Sequence, residues 1–169
     1  MQKRWKGFNE KYTSDQLHDE MAKLKKLRCY QEIEKAQTSD QFKTPQSMKR
    51  KIARQYGFRE FELWDPCDFN QGWRGDFFFD ALMEDWPLNK KIATNWPYSK
   101  NQLFMIKACI EAQRGCNILS LINCRSTESA TANKIAALIF RRQIVGAMRF
   151  EGWETINGDS YSILEFVQP

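Results

Sequence analysis

The sequence predicts an α/β fold: a doubly wound, mainly parallel sheet that is preceded by N-terminal helices and ends in an antiparallel hairpin. From about residue 58 onward, short strand-like runs alternate with helical patterns, as in sheets whose parallel strands are joined by helices. Towards the end of the chain, Asn157-Gly158 separates two strand-like runs, and this dipeptide is a strong hairpin signal. We therefore expect an antiparallel pair at the end of the sheet.

Two helical patterns precede the first strand. In the first, apolar residues recur on one face from Ser14 to about Ala36, and Ser14 can cap the first turn. The second begins at Thr44 as the cap, with Pro45 at the first helical position, and it ends at Gly57. Both patterns are typical of helices that pack one apolar face on a core.

The remaining elements are read from apolar runs bounded by turn residues. Each strand-like run is short and is flanked by Gly, Pro, Asn or Asp, which punctuate secondary structure. In order, the predicted elements are strands at Phe58–Trp64 and Lys91–Asn95, a helix at 100–114, a strand at Cys116–Asn123, a helix from Thr127 to about Arg142, a strand at Ile144–Phe150, and the hairpin runs Arg149–Ile156 and Tyr161–Val167.

The composition excludes several classes of protein. The five cysteines are odd in number and contain no C-x-x-C pair, so neither a disulfide framework nor a zinc site fits them. His18 is the single histidine, so histidine-dependent catalytic triads and multi-histidine metal sites are almost excluded. No apolar run approaches the roughly 18 residues that a membrane span needs. We expect a cytoplasmic protein without a metal site and without a membrane partner.

Positive charge is concentrated towards the N-terminal end of the chain. Residues 1–54 hold 14 Lys and Arg against 7 Asp and Glu, whereas residues 55–169 hold 12 against 14. A basic segment suits a polyanionic partner, because neutralised phosphates release their counterions and raise affinity. The alternative is a solvated helix with surplus lysines.

The segment Asn95 to Tyr98 carries the chemistry, because ligands of doubly wound sheets bind beyond the carboxyl ends of strands. An amino group conjugated to an aromatic ring attacks poorly, since its lone pair is delocalised. The Asn95 side-chain oxygen and the Trp96 backbone carbonyl can accept both amino hydrogens and aim the lone pair at a methyl group. Pro97 fixes the backbone, and Tyr98 stacks on a flipped base. A strand-terminating turn is the simpler alternative.

This segment resembles the Asn-Pro-Pro-Tyr motif of amino-methylating DNA methyltransferases. From about Phe42 to Val167, the chain resembles the small phage-type DNA adenine (Dam) methyltransferase family, whose class I fold is Rossmann-like with the last strand antiparallel. The order and spacing of short motifs carry the resemblance: Thr44-Pro45, Tyr56-Gly57-Phe58, Asp65-Pro66-Cys67, Asp80-Ala81-Leu82 with Trp86, Asn95–Ser99, Lys107-Ala108 with Glu111-Ala112, Gly115 and Arg149-Phe150.

The resemblance implies an enzyme that transfers a methyl group from S-adenosyl-L-methionine to the 6-amino group of a flipped adenine in DNA, within a bacterial or phage-infected cell. It implies a methyltransferase domain at 44–169. Residues 1–43 lie almost wholly outside the likeness, and their charge predicts a basic helical arm, which we expect on the phosphate backbone. Asn95, Trp96, Pro97 and Tyr98 are the implied catalytic residues. The implied cofactor-binding residues are Thr44 and Pro45 at the methionine end, Asp65, Pro66 and Cys67 at the first strand, and Asp80 at the adenine or ribose with Ala81 nearby.

The sequence departs from the family pattern at two places. Trp96 stands where the motif has its first proline, a position that contributes a backbone carbonyl, and Asp65-Pro66-Cys67-Asp68 stands where the fold usually has a glycine-rich loop. Two alternatives follow: a weak or inactive methyltransferase-fold protein that binds nucleic acid, or an amino-methyltransferase acting on cytosine N4 or RNA. Read locally, Thr44-Pro45 is also an ordinary helix start and Asp65-Pro66 an ordinary turn.

Overall fold

The structure is a computed structural model that describes residues 13–26, 44–59, 62–67, 81–125, 139–148 and 157–166. Three α-helices and five strands are present in these residues. In chain order they are α1 (Ser14–Lys25), α2 (Gln46–Gln55), β1 (Leu63–Trp64), β2 (Lys91–Thr94), a 3-10 turn (Tyr98–Lys100), α3 (Asn101–Gln113), β3 (Asn117–Asn123), β4 (Ile139–Met148) and β5 (Asn157–Phe166).

The five strands form one mixed sheet in the order β1-β2-β3-β5-β4. Strands β1, β2 and β3 are parallel, and β5 lies antiparallel between β3 and β4. The predicted α/β class with an antiparallel pair at the end of the sheet is therefore confirmed. Because parallel strands end at the same side, the residues that follow β1, β2 and β3 meet at one edge, which we call the carboxyl edge.

The two faces of the sheet have separate apolar layers, because side chains alternate along a strand. On one face, Ile92 and Ile118 belong to the larger cluster, which contains most of the buried residues of α3 and two of α1. On the other face, Leu119 and Leu121 pack with Ile52 of α2. Helix α2 and helix α3 thus cover opposite faces of the sheet.

Helix α1 packs on the core through the face that its periodicity predicts. Leu17 and Met21 are buried in the larger cluster, and Leu24 packs against it. The predicted cap is wrong by one residue, since the Thr13 hydroxyl accepts from the Gln16 backbone while the Gln16 side chain accepts from the Thr13 backbone. Residues 27–36 of the predicted helix lie outside the described residues.

The start of helix α2 differs from the sequence prediction. The helix begins at Gln46, and Pro45 occupies the cap position without a side-chain cap. The Thr44 hydroxyl is not the cap, because it is hydrogen-bonded to a distant side chain that is described below. Gly57 has a φ of 69°, which a left-handed helix end requires, so the predicted end is confirmed.

Near the C-terminus, the described strands contradict three predicted boundaries. Residues 139–142, predicted as the end of a helix, belong to β4, because pairing with β5 outweighs their local helical pattern. Met148 pairs with Asn157, so Asn157-Gly158 begins β5 and is not the hairpin turn. The remainder of that predicted helix and the connection 149–156 lie outside the described residues. Gly146, with a φ of 80°, sits at a register shift where β4 bends.

The first predicted strand is also shorter than expected. Only Leu63–Trp64 pairs with β2, and Phe58 instead packs its ring against the α2 side of the sheet. By contrast, β2, α3 and β3 begin and end within one residue of their predicted positions. Among the described helices, none is both long and apolar enough to span a bilayer.

Candidate active site

Asn95 follows β2 at the carboxyl edge, and a residue from a distant part of the chain orients its side chain. Its Nδ2 donates to Oγ1 of Thr44 at 2.8 Å across a sequence separation of 51 residues. Thr44 is itself only 5% exposed. The hydrogen bond uses the amide nitrogen, and the buried Oδ1 of Asn95 has no hydrogen-bond partner among the described residues. The side chain is therefore held with its acceptor oxygen available.

Two further hydroxyls at this end of the sheet lack partners. Thr94, the last residue of β2, is aligned with Ser120 of β3, so their Cα atoms are about 4.8 Å apart. Both residues are buried, and within the described chain neither Oγ atom has a hydrogen-bond partner. Unpaired buried hydroxyls cost about 1–3 kcal/mol each, so they mark a place where a polar ligand would be favoured.

Sequence reasoning missed Thr94 and Ser120. The signal was present, because each is a hydroxyl residue that directly follows two apolar residues in a strand leading to the carboxyl edge. Alternation places Thr94 on the same face as Ile92, and Ser120 on the same face as Ile118. Both hydroxyls thus belong to the α3 side of the sheet.

We expect Thr94→Val to raise the free energy of unfolding of the ligand-free protein by about 1 kcal/mol, because valine keeps the shape and removes an unpaired hydroxyl. Urea denaturation at neutral pH measures this change. Ser162→Ala is the matched control: Ser162 is also buried, but its Oγ lies 3.0 Å from Sγ of Cys124, so this variant should be less stable. If Thr94→Val is destabilised like the control, the Thr94 hydroxyl has a partner in the folded protein.

Trp96 fixes the backbone after Asn95 from inside the core. Its side chain is 1% exposed, and its ring stacks on Phe104 with 5.8 Å between the centroids. Its Nε1 donates to Oδ1 of Asn101 at 2.6 Å. The residue that replaces a proline of the family motif is therefore a buried anchor, and its side chain is not part of an open site.

Tyr98 secures the same segment on the other face of the sheet. It is half-buried against the cluster beneath α2, and its ring centroid lies 6.1 Å from that of Tyr161. Pro97 between the two aromatic residues is half-buried and leads into the 3-10 turn that starts α3. Residues 95–98, which we call the edge loop, are thus held on both apolar layers.

The residues after β1 lie at the same carboxyl edge. Oδ1 of the buried Asp65 accepts from the backbone N–H of Cys67 at 2.9 Å, which closes a tight turn around the buried Pro66. Cys67 is half-buried and packs against the larger cluster. The simpler interpretation, in which Asp65-Pro66 is an ordinary turn, therefore accounts for the hydrogen bond of Oδ1 of Asp65.

The remaining predicted cofactor residues are less informative. Ala81 is buried in the larger cluster, and its carbonyl accepts from Nε1 of Trp86 at 2.9 Å. Pro45 is half-buried beside Thr44. Asp80 lies outside the described residues, so its role stays a prediction.

A buried group of charges lies near the opposite edge of the sheet, where β3 begins. Glu111 is fully buried, and its Oε1 lies 2.5 Å from Nζ of the buried Lys107. Its Oε2 pairs with Arg114 and accepts from the Trp86 backbone N–H at 3.2 Å. These groups pair with one another away from the carboxyl edge, which indicates a structural role.

Two buried thiols near these charges are poor nucleophiles. Burial, together with the negative charge of Glu111, raises the pKa of Cys116 to about 11. Burial also raises the pKa of Cys109 far above its ordinary value. Since the thiolate is the reactive form, neither cysteine is suited to nucleophilic catalysis at neutral pH.

The carboxyl edge therefore offers hydrogen-bond acceptors and neutral hydroxyls. In the part of the chain that the structure describes, no three His, Cys, Asp or Glu side chains gather as metal ligands would. The described geometry suits a neutral polar group, such as an amine, that donates hydrogen bonds.

Comparisons of the chain with protein-family models, with curated proteins and with solved structures gave no match.

Proposed function

We propose that this chain is an adenine-specific DNA methyltransferase that transfers a methyl group from S-adenosyl-L-methionine to the 6-amino group of adenine. The observation that carries the proposal is the pairing of Asn95 with Thr44, which leaves Oδ1 of Asn95 unpaired and buried. An amide oxygen in this state is the acceptor that an exocyclic amino group needs. The family resemblance assigns both residues to one site, and their contact supports that assignment.

The topology supports the same proposal. In the class I methyltransferase fold the last strand lies antiparallel in a mainly parallel sheet, and β5 has this position between β3 and β4. Helices α2 and α3 cover opposite faces, as in doubly wound sheets. We therefore propose a Rossmann-like methyltransferase domain for residues 44–169.

The proposed chemistry depends on withdrawing the amino lone pair from the ring. Oδ1 of Asn95 and the carbonyl of Trp96 accept the two amino hydrogens, so the nitrogen becomes tetrahedral and its lone pair points out of the ring plane. S-adenosyl-L-methionine supplies an electrophilic methyl group. The nitrogen lone pair would form a bond to the methyl carbon while the carbon–sulfur bond breaks. The electron pair of that bond would go to sulfur, leaving S-adenosyl-L-homocysteine, and the nitrogen would then release one proton to solvent. Burial of Trp96 holds its carbonyl in place, which preorganises the second acceptor.

The described residues fit a polar cofactor at the carboxyl edge. Thr44 and the turn at 65–67 border this edge, and the buried hydroxyls of Thr94 and Ser120, on neighbouring strands, have no hydrogen-bond partner among the described residues. In this proposal, Thr44, Pro45 and residues 65–67 hold S-adenosyl-L-methionine, together with Asp80 and Ala81. The turn closed by Asp65 takes the place of a glycine-rich loop.

Nucleoside analysis of DNA incubated with the protein and labelled S-adenosyl-L-methionine tests the proposal. We expect the label in N6-methyladenine. Label in N4-methylcytosine would instead identify cytosine as the substrate. Label in RNA that is offered in parallel would identify RNA as the substrate. No labelled product together with no heat of cofactor binding by calorimetry would establish the alternative of an inactive scaffold that binds nucleic acid.

A further inference from the structure

We propose that the exposed face of helix α2 binds the phosphate backbone of the nucleic acid. Ser47, Arg50, Lys51 and Arg54 are exposed, and their spacing of three and four residues puts them on one side of the helix. We call this side the basic face. The positive segment of the sequence runs to residue 54, but the arm expected on the phosphate backbone is residues 1–43, so the basic face adds a defined surface outside that arm.

The orientation of the basic face is fixed by the packing of the opposite side. Ile52 and Ala53 are buried in the apolar layers beneath α2, and Met48 and Tyr56 pack against the same layers. Rotation of the helix about its axis would expose these residues to water. The basic face must therefore point away from the sheet.

The charged side chains of α2 are arranged unfavourably for the helix when no anion is bound to it. It carries four basic residues and no acidic residue, and its first turn lacks the negative charge that a helix N-terminus favours. Lys51 and Arg54 are exposed and three residues apart, so their like charges repel along the face. A bound polyanion removes this repulsion.

Helix α1 shows the opposite arrangement within the same chain. It has Asp15 in its first turn and Lys23 and Lys25 in its last, as the helix dipole favours. In addition, Nζ of Lys23 pairs with Oε1 of Glu20 at 3.3 Å. Lys23 of α1 is thus paired within its own helix, whereas the charged residues of α2 are all of one sign.

The basic face also starts beside the candidate site. Helix α2 begins two residues after Thr44, which holds Asn95, and its ten residues extend about 15 Å from there. A phosphate backbone along this face would keep a flipped base within reach of the edge loop. This link to the edge loop rests on the proposed function, whereas phosphate binding by the basic face does not depend on that function.

The chemistry of the face favours nucleic acid over a membrane surface. Helices that lie on membranes insert an apolar face between lipids, but the apolar side of α2 is already packed on the sheet. Two of the three exposed cations are arginines, whose planar guanidinium groups bind phosphate through two hydrogen bonds.

The test is the salt dependence of duplex DNA binding for the triple variant Arg50→Gln/Lys51→Gln/Arg54→Gln. We expect weaker binding to all sequences, and a slope of log K against log salt reduced by about 2–3, since each lost phosphate contact contributes about 0.9. Lys51→Gln should reduce the slope by about 0.9. The matched control is Lys90→Gln, which removes an exposed lysine before β2, at the other edge of the sheet, and should leave the slope unchanged.

The variants should fold, because glutamine is a good helix former and its introduction relieves like-charge repulsion. We expect a thermal midpoint equal to or above that of the unmodified protein. An unchanged slope in a folded triple variant overturns the proposal, and so does a selective loss of binding to vesicles containing anionic phosphatidylglycerol. If the slope falls but no methyl group is transferred by the unmodified protein, the proposed function fails and the basic face remains.

Discussion

Replacing Asn95 with alanine should reduce the rate of methyl transfer by about 10²–10³-fold, which corresponds to about 3–4 kcal/mol of lost transition-state stabilisation. The substitution removes Oδ1, the buried acceptor that has no partner among the described residues. Cofactor affinity should change little, because in the proposed mechanism Oδ1 binds the amino group of the substrate. Single-turnover kinetics and calorimetry measure the two quantities separately.

Two further variants show whether the loss of rate comes from removing the acceptor oxygen of Asn95 or from changing its orientation. Asn95→Asp keeps oxygen atoms in place of the amide and should retain more activity than alanine. Thr44→Val keeps Oδ1 but removes the acceptor that holds Nδ2, so we expect a smaller fall in kcat that reflects positioning. Methyl transfer by Asn95→Ala at nearly the original rate would rule out the catalytic assignment.

Replacing Glu111 with glutamine should lower the free energy of unfolding by about 3–5 kcal/mol, because the buried Lys107 would lose its counterion. Single domains are stable by about 5–15 kcal/mol in total, so this loss is severe. Arg114 should tolerate the change, since it is partly exposed and also pairs with Asp85 at 3.2 Å. Urea denaturation at neutral pH measures the effect.

The double variant Lys107→Met/Glu111→Met separates charge burial from the other contacts of Glu111. It removes both buried charges at similar volume, so most of the stability lost in Glu111→Gln should return. If the double variant is as unstable as the single one, the decisive contacts are those of Oε2 of Glu111 with the Trp86 backbone N–H and with Arg114.

The elements that sequence reasoning predicts well are those with strong local signals. Helix α3 and strand β3 are separated by Gly115, whose φ of 107° suits glycine, and the apolar runs on either side are unambiguous. The position of Asn95 directly after β2 follows from the same signals. Local patterns therefore locate the end of a strand, and with it the candidate site.

The elements that it misses depend on contacts between distant residues. Thr44-Pro45 has the local pattern of a helix cap, but the Thr44 hydroxyl binds Asn95, 51 residues further along the chain. Residues 139–142 have a helical pattern, but pairing with β5 makes them part of a strand. The residue pattern within either segment does not predict these distant partners. The contacts can therefore be seen only in the folded structure.

The attachment of the edge loop to both apolar layers has a consequence for how a base would enter. Trp96 is packed on the α3 side and Tyr98 on the α2 side, so displacing the loop would disrupt the core. Active-site loops often open at little free energy, whereas opening here would expose the buried Trp96 and separate Tyr98 from its apolar layer. The acceptor geometry is thus set before any ligand arrives, and binding spends no free energy on closing this loop. Selectivity at this loop would come from a rigid shape, and not from induced fit.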